Sequence, residues 1–396
     1  MRFKTLLIIA AAAVAFISCH GDAKSVTVTV GAARTGEYID GLKGKKVALF
    51  SNQTGVVGGE HVLDLLLREG VDVVTIFSPE HGFRGEADAG ESVSSSVDEK
   101  TGVRISSLYG SGFDYRDSTI FEGIDIIVSD IQDVGLRFYT YYVTMIKLME
   151  SAARFDKEFV VLDRPNPNGM YVDGPILDMN YRSGVGRLPI PVVHGLTLGE
   201  LALMANGEGW LDDSLKVKFL KVVTCEGYTH QTRYELPVAP SPNLKSMHAI
   251  YLYPSMCYFE ATPVSLGRGT DSPFEIYGHP EYKAEGEDLF TFTPVSMPGA
   301  KEPPQMDKLC YGRDLRGVPD DEIIARGLDL SYLIDAYSHI ENHEGFFRDF
   351  FELLIGRGDI RAMIEEGRSA EEIKATWADD VEDFKVLRRK YLLYEE

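Results

Sequence analysis

The chain has 396 residues, 44% of them hydrophobic and 11% aromatic, and a formal net charge of −21. It is long enough for two domains and apolar enough to bury a core, which excludes a chain disordered beyond its ends. The excess of 61 Asp and Glu over 40 Lys and Arg argues against a nucleic-acid partner, because phosphate backbones need basic patches, although a few local arginines can still hold one small carboxylate.

Arg2 and Lys4 precede an apolar run from Leu6 to Ile17, which is short for a membrane span. Ser18-Cys19 and the polar His20-Gly21-Asp22 follow. The pattern predicts an export signal over residues 1–25 with a lipid anchor at Cys19. Simple cleavage near Ala23-Lys24-Ser25 is the alternative. No later stretch reads as transmembrane. Cys225, Cys257 and Cys310 are too widely spaced for a disulfide framework or a zinc pattern, so they read as buried free thiols.

From residue 26 to 235, buried strand patterns alternate with amphipathic helix patterns. Lys45–Phe50 reads as the first core strand, running into Ser51-Asn52-Gln53-Thr54-Gly55. His61–Glu69 is a helix pattern, and Val71–Phe77 is the next strand, stopped by Pro79. Behind it, Glu80, His81, Arg84, Glu86, Asp88 and Glu91 crowd a loop loosened by Gly82, Gly85 and Gly90. Glu80 is the leading acid/base candidate there. Val103–Tyr109 and Ile124–Ser129 read as further strands, the second running into Asp130-Ile131-Gln132-Asp133-Val134-Gly135-Leu136-Arg137. A long helix is predicted over Phe138–Phe155. A strand over Glu158–Leu162 ends at Asp163-Arg164-Pro165-Asn166-Pro167-Asn168. Thr197-x-x-Glu200 is a capping box before a helix over Leu198–Ala205, which gives Glu200 a structural reading; His194 sits just before it. Val217–Val223 is the last strand of this part.

Alternating strands and helices predict an α/β domain with a mostly parallel sheet and flanking helices. In such a sheet all strand ends fall on one side, so the polar clusters after each strand share one cleft. Neither G-x-G-x-x-G nor a Walker pattern occurs, so a nucleotide cofactor has no support. The Pro-rich run Leu236–Asn243 opens a smaller C-terminal α+β domain over 236–396, completing the cleft. Within it, Arg268 lies between Gly267 and Gly269 in a second candidate site segment, with Glu260 or Asp271 as its structural partner. Helices are predicted over Leu328–His339, Phe346–Ile355 and Ser369–Tyr394, the last with a capping box at Ser369 and Glu372.

Seven strings carry a resemblance when taken in order: Ser51-Asn52-Gln53-Thr54-Gly55, Ser78-Pro79-Glu80-His81-Gly82, Asp130 through Tyr141, Leu162-Asp163-Arg164-Pro165-Asn166-Pro167, His194-Gly195-Leu196-Thr197, Pro240-Ser241-Pro242-Asn243 and Gly267-Arg268-Gly269-Thr270. Together they resemble the bacterial exo-β-N-acetylmuramidases, from about Lys43 to the C-terminus. The resemblance implies a Rossmann-like catalytic domain and a smaller second domain. It also implies hydrolysis of terminal non-reducing N-acetylmuramic acid from peptidoglycan fragments, in cell-wall turnover and recycling, without metal or cofactor.

Glycoside hydrolysis ordinarily needs one protonated carboxyl and a second carboxylate. Glu80 is then the general acid, and Glu86, Asp88, Asp130 and Asp133 compete for the second role. Substrate-assisted chemistry through the acetamido group is a further option. Arg84, Arg137, Arg164 and Arg268 are the choices for the lactyl carboxylate, since a guanidinium grips a carboxylate with two bonds. Asn52, His81, Asp133, Asn166 and His194 complete the substrate-binding set. Two rival readings use the same residues: a metal-dependent hydrolase built on Glu80, His81, Asp88 and Asp130, and a lipoprotein that binds wall sugars without turning them over.

Overall fold

The structure, a computed structural model, describes residues 27–79, 83, 96–108, 113–284, 286 and 288–396. Glu80, His81, Arg84, Glu86 and Asp88 lie outside these residues, as do the predicted export signal and Cys19.

Seven strands form the main sheet: β1 (Lys46–Ser51), β2 (Asp72–Ser78), β3 (Ser96–Val97), β4 (Arg104–Ser107), β5 (Ile126–Asp130), β6 (Glu158–Leu162) and β7 (Leu220–Val223). Their order is β3-β4-β2-β1-β5-β6-β7. Every neighbouring pair is parallel except the short edge pair β3–β4. The central strands are apolar on both faces because both faces are covered. Val47, Leu49, Ile76 and Val128 pack on the side of α1 (Val62–Arg68), whereas Ala48, Phe50, Phe77, Ile127 and Phe159 pack on the side of α2 (Tyr141–Arg154) and α3 (Leu198–Gly207). The chain lays down β1, β2 and β4 in one direction, then returns past β1 to place β5, β6 and β7 in the other. The order therefore reverses between β1 and β5. Parallel α/β sheets bind ligands at such a switch point, beyond the carboxyl ends of the strands.

The smaller C-terminal domain contains α4 (Met247–Met256), an antiparallel three-stranded sheet and six short helices. The sheet is β8 (Ile276–His279), β9 (Phe290–Phe292) and β10 (Cys310–Asp314), with β10 in the middle. The helices are α5 (Asp320–Arg326), α6 (Ser331–His339), α7 (Phe350–Ile355), α8 (Ile360–Glu365), α9 (Ala370–Ala375) and α10 (Ala378–Arg388). Leu252, Phe259, Leu333 and Phe351 join the same apolar core as α2 and α3, so the two parts share one interior. Cys225, Cys257 and Cys310 are buried free thiols.

Several elements differ from the sequence pattern, for physical reasons. The helix predicted from Phe138 starts at Tyr141, because Gly135 takes a positive φ of 76° and Leu136 to Tyr139 closes as a turn. A side chain at Gly135 would collide with the Asn166 amide, so the glycine lets the loops after β5 and β6 touch. The long helix predicted over Ser369–Tyr394 is broken between α9 and α10. At the break, buried Trp377 donates its indole N–H to Asp173 Oδ1 at 3.0 Å. Helices α4, α5 and α8, the edge strand β3 and the three strands β8, β9 and β10 have no counterpart in the sequence reading. Both capping boxes are formed as read, at Thr197/Glu200 and Ser369/Glu372.

The chain end docks back on the first domain. Tyr394 donates its hydroxyl to Asp163 Oδ2 at 2.6 Å and accepts from Cys225 N at 2.9 Å, while Leu393 N donates to Glu200 Oε1 at 2.8 Å. Tyr394→Phe removes one of three hydrogen bonds to the Asp163 carboxyl and leaves a buried N–H without an acceptor. An unsatisfied buried group of this kind costs about 1–3 kcal/mol. A lower urea midpoint with an unchanged m-value is the expected readout.

Candidate active site

The ends of β1 and β5 carry the best-defined polar cluster at the switch point. Asn52 follows β1 and is fully buried. Its Oδ1 accepts from Thr54 Oγ1 at 2.6 Å and from Thr54 N at 3.0 Å. Thr54 Oγ1 in turn accepts from Gln132 N at 2.9 Å, which ties the exit of β1 to that of β5. These bonds fix the amide and aim its nitrogen elsewhere; among the described residues Asn52 Nδ2 is buried with no partner.

Asp133 follows β5 and is 6% exposed. Its Oδ1 accepts from Gly135 N at 2.7 Å, and its Oδ2 is buried with no partner among the described residues. Burial pushes the Asp133 carboxyl up to about 7, against the opposing pull of the Gly135, Val134 and Tyr142 backbone N–H groups. An unpaired amide N–H and a proton-holding carboxyl thus flank the point where the strand order reverses.

The Pro-rich connector runs past this cluster. Pro240 O accepts from both Tyr139 Oη and Tyr141 Oη at 2.9 Å, and Gln53 Nε2 donates to Ala239 O at 3.2 Å. A backbone carbonyl held by two buried phenols is a rigid wall, and nothing in the side-chain pattern of the connector announces it. The P-x-P spacing was its only signal. Gln132 and Thr54 were likewise not singled out as site residues. Their role is a side-chain-to-backbone latch between loops that only the topology brings together.

Other sequence-predicted residues take different positions. Asp130, a catalytic candidate, is fully buried at the end of β5 and is bound through both oxygens by Arg164: Nε to Oδ1 at 2.6 Å and Nη2 to Oδ2 at 2.9 Å. Arg164 Nη2 also donates to Val56 O at 3.1 Å. The pair staples the exits of β5 and β6 to the β1 loop, and it commits the side of Arg164 that a lactyl carboxylate would need.

Arg137, also expected to hold a carboxylate, is 0% exposed and donates to four backbone carbonyls: Pro175, Ile190, Leu354 and Ile355. Only Nε is left over, too little for a two-bond grip. Its role is to join the loop after β5 to the end of α7. Asn166 is buried with Nδ2 on Leu196 O and Oδ1 on Asn168 N, so it braces loops. His194 is fully buried and accepts from Leu196 N at Nδ1; burial pushes it down to about 3, so the ring stays neutral.

Arg268 lies in its glycine turn with Nη2 on Glu260 Oε1 at 2.7 Å, and its guanidinium lies 5.2 Å from the Phe274 ring centroid. It lines an open cleft of about 460 Å³. Glu80, Glu86, His81 and Arg84 lie outside the described residues. Among the described residues no group of three or more His, Cys, Asp or Glu side chains gathers as a metal site, and no helix is long and apolar enough to cross a membrane.

The N-terminal family model of the exo-β-N-acetylmuramidase NamZ matches residues 47–248, and the C-terminal model matches residues 251–394. The chain belongs to the NamZ family. It is 38% identical to the peptidoglycan β-N-acetylmuramidase NamZ of Bacillus subtilis, over 95% of each chain. Two crystal structures of DUF1343-family proteins from Bacteroides fragilis have the same fold. One is 55% identical with a TM-score of 0.86, covering 93% of this chain and 99% of that one. The other is 28% identical with a TM-score of 0.77, covering 93% and 100%.

Proposed function

We infer that this chain is an exo-β-N-acetylmuramidase: a glycoside hydrolase that removes terminal N-acetylmuramic acid from peptidoglycan fragments. The observation that carries the reading is the near-full-length match to the Bacillus subtilis enzyme. The buried, unpaired amide and carboxyl at the β1/β5 switch point supply chemistry of the right kind.

The reaction adds water across the glycosidic bond. One carboxyl gives a proton to the leaving oxygen, and a second takes one from the attacking water or attacks the anomeric carbon itself. Glu80 is the proton donor in this proposal. It stands two residues past the end of β2, beside β1 in the sheet order. With Asp130 committed to Arg164, Glu86, Asp88 and Asp133 compete for the second role. Glu86 belongs to the same loop as Glu80. Asp133 is held by burial near 7, a value at which a general base works efficiently at neutral pH. The ends of β2 and β5 are two strand spacings apart, about 10 Å, with β1 between them. Measuring Glu86→Gln and Asp88→Asn beside Asp133→Asn separates them. The variant lacking the second group loses on the order of 10²–10⁴-fold in kcat, while the others keep most of their activity.

Asp133→Asn has a second expected effect, on stability. The Asp133 carboxyl titrates near 7 in the folded chain and near the ordinary Asp value of about 3.9 when unfolded. The folded state therefore binds the extra proton between those values. Wild-type stability relative to Asp133→Asn should fall as pH rises from about 4 to 7, by up to about 1.4 kcal/mol per pH unit, and level off above. Paired urea melts across that range give the difference directly. A flat difference would place the carboxyl in a solvated setting.

Export and anchoring are part of the same proposal. The basic start, the apolar run and Cys19 support a lipoprotein held at a bacterial envelope membrane, on the side facing peptidoglycan. Cys19→Ala should move the protein from the membrane pellet to the soluble fraction; retention in the pellet would rule out this anchor.

A further inference from the structure

The cleft beside Arg268 touches the same connector that runs past the strand-end cluster. Pro240 O is pinned by Tyr139 and Tyr141 at the switch-point cluster. Two residues on, Pro242 packs on Gly299, where an added Cβ would lie 2.8 Å from the proline ring; Asn243 Nδ2 donates to Gly299 O at 2.7 Å. Gly299 lines the cleft. Two residues of chain span at most about 7 Å, so one short stretch of connector touches both the phenols beside the polar cluster and the Gly299 lining of the cleft.

The cleft carries Arg268 and Lys301 beside Glu260 and Glu302, with Leu266, Pro303 and Pro304 as its apolar part, a mixed lining suited to an amphipathic, charged ligand. Arg268 is 18% exposed at its side chain and uses one N–H of Nη2 on Glu260. Phe274 supports the plane of its guanidinium. Nε and Nη1 have no partner among the described residues, so the second N–H of Nη2 and the adjacent Nη1 N–H are the donors left for a carboxylate. Apolar surface lies next to it. Val295, 46% exposed, donates its N–H to Gly269 O in the arginine turn, and Met306, 39% exposed, donates to Pro303 O at the cleft lining. Such surface suits sugar faces and acetamido methyl groups.

We propose that this cleft binds the leaving side of a longer peptidoglycan fragment, and that Arg268 grips a carboxylate on the next muramic acid. The inference rests on the muramidase reading above. An exo-acting enzyme accepts one chain end, so the remainder of the glycan has to leave the strand-end site on one side. A carboxylate recurs on that remainder with every muramic acid, either as the bare lactyl group or as the acids of a stem peptide. Binding energy from this remote part then sets a preference for fragment length.

The test is a substrate series for the full-length protein: an aryl muramoside with no leaving sugar, a muramic-acid-terminated disaccharide, and tetrasaccharides with bare lactyl groups or with stem peptides. One charge-assisted contact is worth about 1.5–3 kcal/mol. The expected result is a kcat/KM for at least one tetrasaccharide about 10–100-fold above that of the disaccharide. A gain with the bare tetrasaccharide assigns the lactyl carboxylate, and a gain only with the peptide-bearing one assigns the stem peptide; both support the cleft. Pro304→Trp, at the cleft lining, should cancel the gain and leave the aryl muramoside rate as it was. Equal kcat/KM for disaccharide and tetrasaccharides in the wild type overturns the proposal without need of any variant. So does a Pro304→Trp protein that keeps the length preference. A wild type that cleaves the aryl muramoside shows the muramidase reading to stand whatever the length series gives; one that cleaves no muramoside removes both.

Discussion

Glu80→Gln should lower the release of N-acetylmuramic acid by on the order of 10²–10⁴-fold, the range for loss of a positioned acid/base group. The amide keeps the size and most hydrogen bonds of the carboxyl but cannot give a proton to the leaving oxygen. Ser78, at the end of β2, is fully buried, Pro79 stops the strand directly after it, and Glu80 is two residues past that end in sequence. A fall in kcat with little change in KM is the signature of a group that acts in the transition state. The urea midpoint of the variant should match wild type. An aryl muramoside with a good leaving group should be less affected than the disaccharide, because its leaving oxygen needs less protonation.

Asp130→Ala should produce the largest loss of stability, about 3–5 kcal/mol. It removes a fully buried carboxylate and strands the guanidinium of Arg164, itself 2% exposed at its side chain. Removing one partner of a buried ion pair leaves an uncompensated charge in low dielectric, whereas replacing both partners with apolar groups is often close to neutral. The double variant Asp130→Leu/Arg164→Met should therefore recover most of the stability lost in the single one. If Asp130 were a reacting carboxylate, the recovered double variant would be folded and inactive. Measurable activity in the double variant marks Asp130 as the staple that its two contacts with Arg164 describe.

The sheet was legible because its signals are local. Apolar runs such as Ile126–Val128 and Phe159–Leu162 are buried on both faces, and only a covered parallel sheet does that to consecutive residues. The capping boxes at Thr197 and Ser369 were legible for the same reason, since each needs only residues three apart. The break at Trp377 was not legible. It is set by a hydrogen bond to Asp173, far away in sequence, and no helical periodicity reports a partner of that kind.

The candidate site divides along the same line. That polar residues would gather beyond the strand ends followed from the strand pattern. Which of them face a ligand did not. Asn52, Asp130, Asp133, Arg137, Arg164 and Asn166 all sit at or beyond strand ends, and from sequence they look alike. Their burial and partners separate them: Arg137 on four carbonyls with only Nε left over, Arg164 and Asp130 on each other, Asn166 between loops, and Asn52 and Asp133 at the switch point, with Nδ2 and Oδ2 unpaired among the described residues. A guanidinium that serves backbone carbonyls and one that serves a substrate carboxylate have the same letter. The choice between them is made by what the fold places within 3 Å.

The most direct measurement is of the products formed from a muramic-acid-terminated disaccharide by the purified wild-type protein, resolved by chromatography with mass detection. Free N-acetylmuramic acid and the leaving sugar in equal amounts are the expected result, with internal bonds of longer fragments left intact at early times. A folded wild-type protein that releases no N-acetylmuramic acid, or that cuts longer fragments internally from the start, would contradict the assignment of an exo-acting muramidase.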